Sequence, residues 1–152
     1  MKVIYCSNGN LISCSLDNKI KIWKENNNNN YDNIKILNHS KHVNSILLLE
    51  DKNILISSGE DGTKFWDLNE INNINCIKYF EDTFSGWHGG ICRLDEDRII
   101  VKNMKIHSLK VISILNLNII KEMNHPFQCW GITLIEDKGI FIIGGVSKDI
   151  RI

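Results

Sequence analysis

The chain has 152 residues, enough for one ordinary domain, and 43% of them are hydrophobic, an adequate supply for a core. Its 18 Lys plus Arg balance 18 Asp plus Glu, so no net field favours a nucleic acid or an anionic membrane as partner. The first apolar run, residues 1–6, is too short for a signal peptide, and no later stretch approaches the roughly 18 apolar residues of a membrane span.

Short apolar runs bounded by Gly, Asn and Asp predict an all-β chain. A first group of strands is expected at 2–6, 10–15, 19–24 and 33–37, with clear alternation in Lys19-Ile20-Lys21-Ile22-Trp23. The Asn run from Asn26 to Asn30 reads as a solvated loop insertion. A second group is expected at 42–49, 53–58, 63–68 and 75–80, where the continuous run Ile46-Leu47-Leu48-Leu49 suits an inner strand packed on both faces. The third group, at 90–95, 98–102, 109–115 and 118–123, is degenerate. Lys102 is expected where the second group has Ser57, and 103–108 replaces a tight Asp turn. A fourth group has strands at 129–135 and 139–144, then Asp149-Ile150-Arg151-Ile152, with no outermost strand following. Cys6, Cys14, Cys76, Cys92 and Cys129 are odd in number and form no Cys-x-x-Cys pair. That pattern predicts buried free thiols in a reducing compartment, the cytoplasm with the nucleus also open.

The groups are copies of one another. Ser58-Gly59-Glu60-Asp61-Gly62-Thr63-Lys64-Phe65-Trp66-Asp67 has a weaker counterpart in Ser13-Cys14-Ser15-Leu16-Asp17-Asn18-Lys19-Ile20-Lys21-Ile22-Trp23, and the two tryptophans stand 43 positions apart. At twice that interval, Asn124-His125 falls on Asn38-His39, and Glu136-Asp137-Lys138 falls on Glu50-Asp51-Lys52. The turn, the Trp-Asp pair and a period within roughly 40 to 45 residues resemble the WD40 repeat family over essentially the whole chain. The resemblance implies a β-propeller with repeats near 1–38, 39–81, 82–124 and 125–152, about three full blades plus a fourth lacking its outer strand. Closed propellers have about 4 to 8 blades, so this array is incomplete. Its unpaired edges invite further repeats of a longer chain or a second copy.

His39, Ser57 and Asp61 are the residue types of a hydrolase triad. In the WD40 family, however, a His before the inner strand, a Ser or Thr in the second strand, the turn Asp and the third-strand Trp form a structural hydrogen-bond network. The resemblance therefore implies a structural tetrad of His39, Ser57, Asp61 and Trp66 and no catalytic residue. Departures accompany it: the first repeat supplies Ser13, Asp17 and Trp23 but no His, and the fourth keeps His125 with Ser147 in place of Asp. His39 and His42 form a His-x-x-His pair without a third ligand, so no metal site is expected. No phosphate-binding glycine loop is present, and no cofactor is expected.

Positions that edge the central channel in such propellers, carried onto this chain, are Leu16, His42, Asn44, Glu60, Trp87, His88, Gln128 and Trp130. They imply protein binding at the channel rim, although for the aromatic set Trp87, Phe127 and Trp130 packing between blades is the favoured role. The expected function is a non-enzymatic scaffold that assembles a multiprotein complex. A truncated propeller fragment without independent function is the alternative. A propeller hydrolase would need convergent carboxylates, a metal cluster or an exposed nucleophile, and none is legible.

Overall fold

Asn, Gly and Asp at the ends of Ile-rich runs turn the chain every few residues, and the computed structural model is all-β. It describes residues 2–83, 90–103, 106–124, 129–135 and 140–145. The first sheet comprises β1 (Lys2–Tyr5), β2 (Leu11–Cys14), β3 (Lys19–Glu25) and β4 (Tyr31–Asn38), antiparallel and adjacent in chain order. The second comprises β5 (Val43–Leu49), β6 (Ile54–Gly59), β7 (Gly62–Asp67) and β8 (Asn75–Phe80). β9 (Ile91–Arg93), β10 (Arg98–Asn103), β11 (Ser108–Ser113) and β12 (Asn118–Asn124) repeat the pattern. β13 (Cys129–Ile135) and β14 (Ile140–Gly145) pair as a hairpin. Each strand expected from the sequence forms, with ends moved by two residues at most. Residues 149–152, which the sequence sets in register with Lys19-Ile20-Lys21-Ile22, lie outside the described residues.

Sheets stack face to face along the chain, and an apolar layer fills each junction. Cys14, Ile20, Ile22 and Leu37 of the first sheet pack on Val43, Ile46, Leu55 and Trp66 of the second. Leu49, Ile56 and Phe65 on the other face of the second sheet pack on Ile99, Val101 and Ile112 of the third. Ile100, Leu109 and Val111 then meet Ile132 of the hairpin. Within Ile46-Leu47-Leu48-Leu49, residues 46 and 48 thus serve one junction and 47 and 49 the next. A side-chain period of two explains the split, and burial on both faces explains the unbroken run.

Register corrects one expectation. Ser57 lies opposite Ile46 and Lys64, whereas Val101 lies opposite Ile91 and Lys110. Val101, not Lys102, therefore occupies the Ser57 place, and Ile112 occupies the Trp66 place, both buried toward the second sheet. Lys102 pairs with Leu109 on the opposite face. A one-residue offset reverses every side chain of a strand, which is why the two assignments differ so completely. The thiols also differ from expectation. Cys6 and Cys14 are buried, but Cys76 on the outermost strand β8 is exposed and Cys92 is half-buried.

Candidate functional site

The β2–β3 loop, the segment between β4 and β5, and the β6–β7 turn meet at one end of the first two sheets. Backbone bonds tie them: His39 N–H donates to Asn18 O at 2.9 Å, Val43 N–H to Ser15 O at 3.2 Å, and Glu60 N–H to His42 O at 3.0 Å. The turn Glu60-Asp61 between the paired Gly59 and Gly62 is only two residues long. Gly62 adopts φ +133°, and a Cβ there would stand 2.3 Å from Phe80 O. A Cβ at Gly59 would stand 2.2 Å from His42 O, so side chains at both ends of the turn are excluded by backbone.

That tight turn places Asp61 in a buried polar chain. Trp66 donates its indole N–H to Ser57 Oγ at 2.8 Å. Ser57 Oγ lies 2.6 Å from His39 Nε2, and His39 Nδ1 lies 2.5 Å from Asp61 Oδ1. Ionised Asp61 only accepts, so His39 Nδ1–H donates to it and His39 Nε2 accepts the Ser57 hydroxyl proton. Burial lowers the His39 pKa, and the Asp61 hydrogen bond and charge oppose that only in part, which keeps the ring neutral. For Asp61 burial acts upward, but hydrogen bonds from His39 and from Ser40 outweigh it and hold the carboxyl below its ordinary value. Ser40 supplies two of them, from its N–H at 2.7 Å and its hydroxyl at 3.0 Å.

Ser57, His39 and Asp61 thus have the connectivity of a hydrolytic triad. Ser57 is nevertheless 0% exposed, and its oxygen already accepts the Trp66 indole proton. A nucleophile must be reached by the carbonyl it attacks. The chain of donors and acceptors can satisfy buried groups and fix the turn, but it cannot attack a substrate from this position.

Three residues of this cluster escape the sequence reading. Ser40 follows the His and caps Asp61 through its own backbone and hydroxyl, a local habit of Ser that could have suggested it. Lys64 lies over the Trp66 and Tyr79 rings at 5.7 and 5.3 Å, stands 3.8 Å from Asp61 Oδ2 and donates to Asn38 O at 3.1 Å. Tyr79, opposite Lys64 in the ladder, donates its hydroxyl to Asp61 O at 2.6 Å. The first sheet holds only half of this arrangement. Trp23 donates to Ser13 Oγ at 2.9 Å, while Asp17 accepts the Lys19 N–H at 3.1 Å in a solvent-exposed turn.

The rim residues divide. Leu16 is exposed, His42 is exposed with Nδ1 hydrogen-bonded to the Leu16 carbonyl, and Glu60 is half-buried beside them. These three make one continuous surface across the first two sheets. Asn44 is buried at 7% exposure within β5 and does not share it. Trp87, His88 and Gln128 lie outside the described residues. Trp130 occupies the second position of β13, the inner strand of the hairpin. Among the described residues no three His, Cys, Asp or Glu side chains gather as a metal set, and no helix is long and apolar enough to cross a membrane.

Comparison with known proteins bears on the whole arrangement. The family model "WD domain, G-beta repeat" matches residues 1–24 and 32–67. Among solved structures, the chain is similar to the WD40 beta propeller domain of Doa1, with a TM-score of 0.75 and 21% identity. The match covers 95% of this chain and 46% of that one, so the chain spans about half the length of the propeller it resembles. No curated protein matches the chain by sequence.

Proposed function

Because the WD40 repeat model matches residues 1–24 and 32–67 and the fold is that of a WD40 propeller, we propose that the chain is a WD40-repeat protein, a non-enzymatic protein-binding scaffold that docks its partner on the loop surface of Leu16, His42 and Glu60. One observation carries this reading. Loops from two successive sheets are tied into a single exposed surface by the Leu16–His42 and His42–Glu60 bonds. Beneath it the polar chain from Trp66 to Asp61 holds the β6–β7 turn in place. A rigid foundation lowers the ordering cost that a partner must overcome. Residues at Trp87, His88, Gln128 and Trp130 would extend the same rim, and assembly of a multiprotein complex in the cytoplasm or nucleus is the role we assign to it.

The test is affinity capture by the purified chain with three baits: wild type, Leu16→Asp/Glu60→Lys, and Asp95→Lys at the far end of the third sheet. A partner retained by wild type and Asp95→Lys, and reduced more than about tenfold by the double variant, supports the reading. Equal retention on all three baits overturns it.

The face of the first sheet turned away from the second, which no other described strand covers, favours an additional contact. Val3, Ser13, Lys21 and Ile36 form one cross-strand row, and Tyr5, Leu11 and Trp23 form the next. Both rows face away from the second sheet, and Val3, Tyr5 and Ile36 are 58%, 67% and 42% exposed. Another repeat, from a longer chain or a second copy, would stack there. Sedimentation at micromolar concentration tests the contact: association supports it, and a well-folded, soluble monomer with a cooperative melt overturns it.

A further inference from the structure

The opposite end of the first two sheets opens into a cleft of about 600 Å³ that no rim residue lines. Its size falls within the roughly 300 to 1,000 Å³ of ligand sites. The floor is aliphatic: Ile12 and Ile22 from the first sheet, Leu48 from β5, and Leu68 with the exposed Ile71 from the β7–β8 connection. The lip carries carboxamides, Asn8 and Asn10 on the first-sheet side and Asn53 and Asn69 on the second. A carboxamide offers one acceptor and two donors; Asn53 Nδ2 already donates to Asn69 Oδ1 at 3.1 Å and Asn8 Oδ1 accepts the Asn10 N–H at 3.0 Å, and the remaining groups are those that a peptide backbone must satisfy.

The two walls carry opposite charges. Lys24 lines the first-sheet side and Glu50 the second-sheet side. Among the described residues neither side chain makes an ion pair, and the Glu50 carboxylate accepts a hydrogen bond from the uncharged Ser7 N–H at 2.7 Å. An apolar floor, a backbone-like lip and opposed charges on facing walls select one kind of occupant. We propose that this cleft binds a short extended peptide segment whose bulky aliphatic side chain fills the floor, with a basic residue toward Glu50 and an acidic residue toward Lys24. An apolar small molecule would use the floor without the charges. A strand added to a sheet edge would take its affinity from main-chain pairing along that edge, so reversing Glu50 or Lys24 would leave most of it intact.

The experiment selects phage-displayed random heptapeptides on the full chain, then measures fluorescence polarisation of the best peptide against variants. Selected sequences should carry an aliphatic residue between one basic and one acidic residue. Ile71→Asp should weaken the peptide roughly tenfold. Glu50→Lys and Lys24→Glu should each weaken it, and selection repeated on Glu50→Lys should replace the basic residue by an acidic one. Leu16→Asp/Glu60→Lys should leave the affinity unchanged, which separates this site from the rim. Ile71 is exposed, and Glu50 and Lys24 are outward charged residues, so folding of these variants is checked directly by circular dichroism. No enrichment, enrichment without the charge pattern, or affinity indifferent to the two charge reversals would each overturn the proposal.

Discussion

Replacing Asp61 with Ala removes the acceptor on which the turn end of the polar chain depends. His39 Nδ1–H, 2.5 Å from the carboxylate, and Ser40 N–H, at 2.7 Å, both lose their partner. A buried donor left unsatisfied costs about 1 to 3 kcal/mol, and bonds to charged acceptors lie toward the upper end. Ser40 is only partly buried and regains some solvation, and burial of the carboxylate itself is relieved. The expected net loss is about 2 to 4 kcal/mol. With a urea m-value of about 2 kcal/mol per molar, the midpoint falls by roughly 1 to 2 M. The matched control is Asp17→Ala in the first-sheet turn, whose carboxylate is 43% exposed and pairs with Lys21 at 3.6 Å. Solvent screens that pair, and the loss there is at most about 0.5 kcal/mol. Urea titrations of both variants, followed by tryptophan fluorescence at unchanged m-value, provide the assay. Equal midpoint losses would refute the structural role given to the chain from Trp66 to Asp61.

Three further outcomes are expected. Folded His39 has a pKa below its ordinary 6.5 and folded Asp61 one below 3.8. The unfolded state therefore binds protons first, and stability is fullest above about pH 6.5, falls as His39 resists protonation, and falls again as Asp61 is protonated. A His39→Gln variant should lose the upper part of that dependence in pH-resolved thermal melts, and an unchanged profile contradicts the assignment. Gly62→Ala, which sets a Cβ 2.3 Å from Phe80 O at φ +133°, should lower the urea midpoint by at least as much as Asp61→Ala, and a neutral result contradicts the turn geometry. Asp51→Asn breaks the paired 2.7 Å contacts to Arg93, yet that pair is solvent-exposed. It should move the midpoint far less than Asp61→Ala and lose even that effect in 1 M salt.

Strand placement is legible in the sequence because Asn, Gly and Asp interrupt Ile-rich runs at nearly every turn. The phase of β10 is not. Ile99, Ile100 and Val101 are apolar on both faces, so alternation cannot decide whether Val101 or Lys102 answers to Ser57, and only pairing with Ile91 and Lys110 settles it. Replacement of the Ser57–Trp66 pair by Val101 and Ile112 keeps the junction filled without a hydrogen bond. That choice is invisible until the faces are assigned.

Among candidate site residues, the residue types at His39, Ser57, Asp61 and Trp66 and the loop positions Leu16, His42 and Glu60 are readable from the repeat. The burial of Asn44 is not, because an amide at the start of an inner strand can face either the rim or the sheet junction. Lys64 and Tyr79 look like ordinary outer-strand residues until the β7–β8 register sets them side by side. Exposure of Cys76 follows from the same cause: β8 is the outermost strand of its sheet, with nothing packed beyond it among the described residues.

Hydrogen–deuterium exchange of the chain with and without its captured partner tests the scaffold reading most directly. Amides at 15–18, 39–43 and 60–61 should gain protection in the complex, while those at 68–71 on the opposite end stay unchanged. Protection confined to other segments, with the loops of Leu16, His42 and Glu60 exchanging as in the isolated chain, would contradict it.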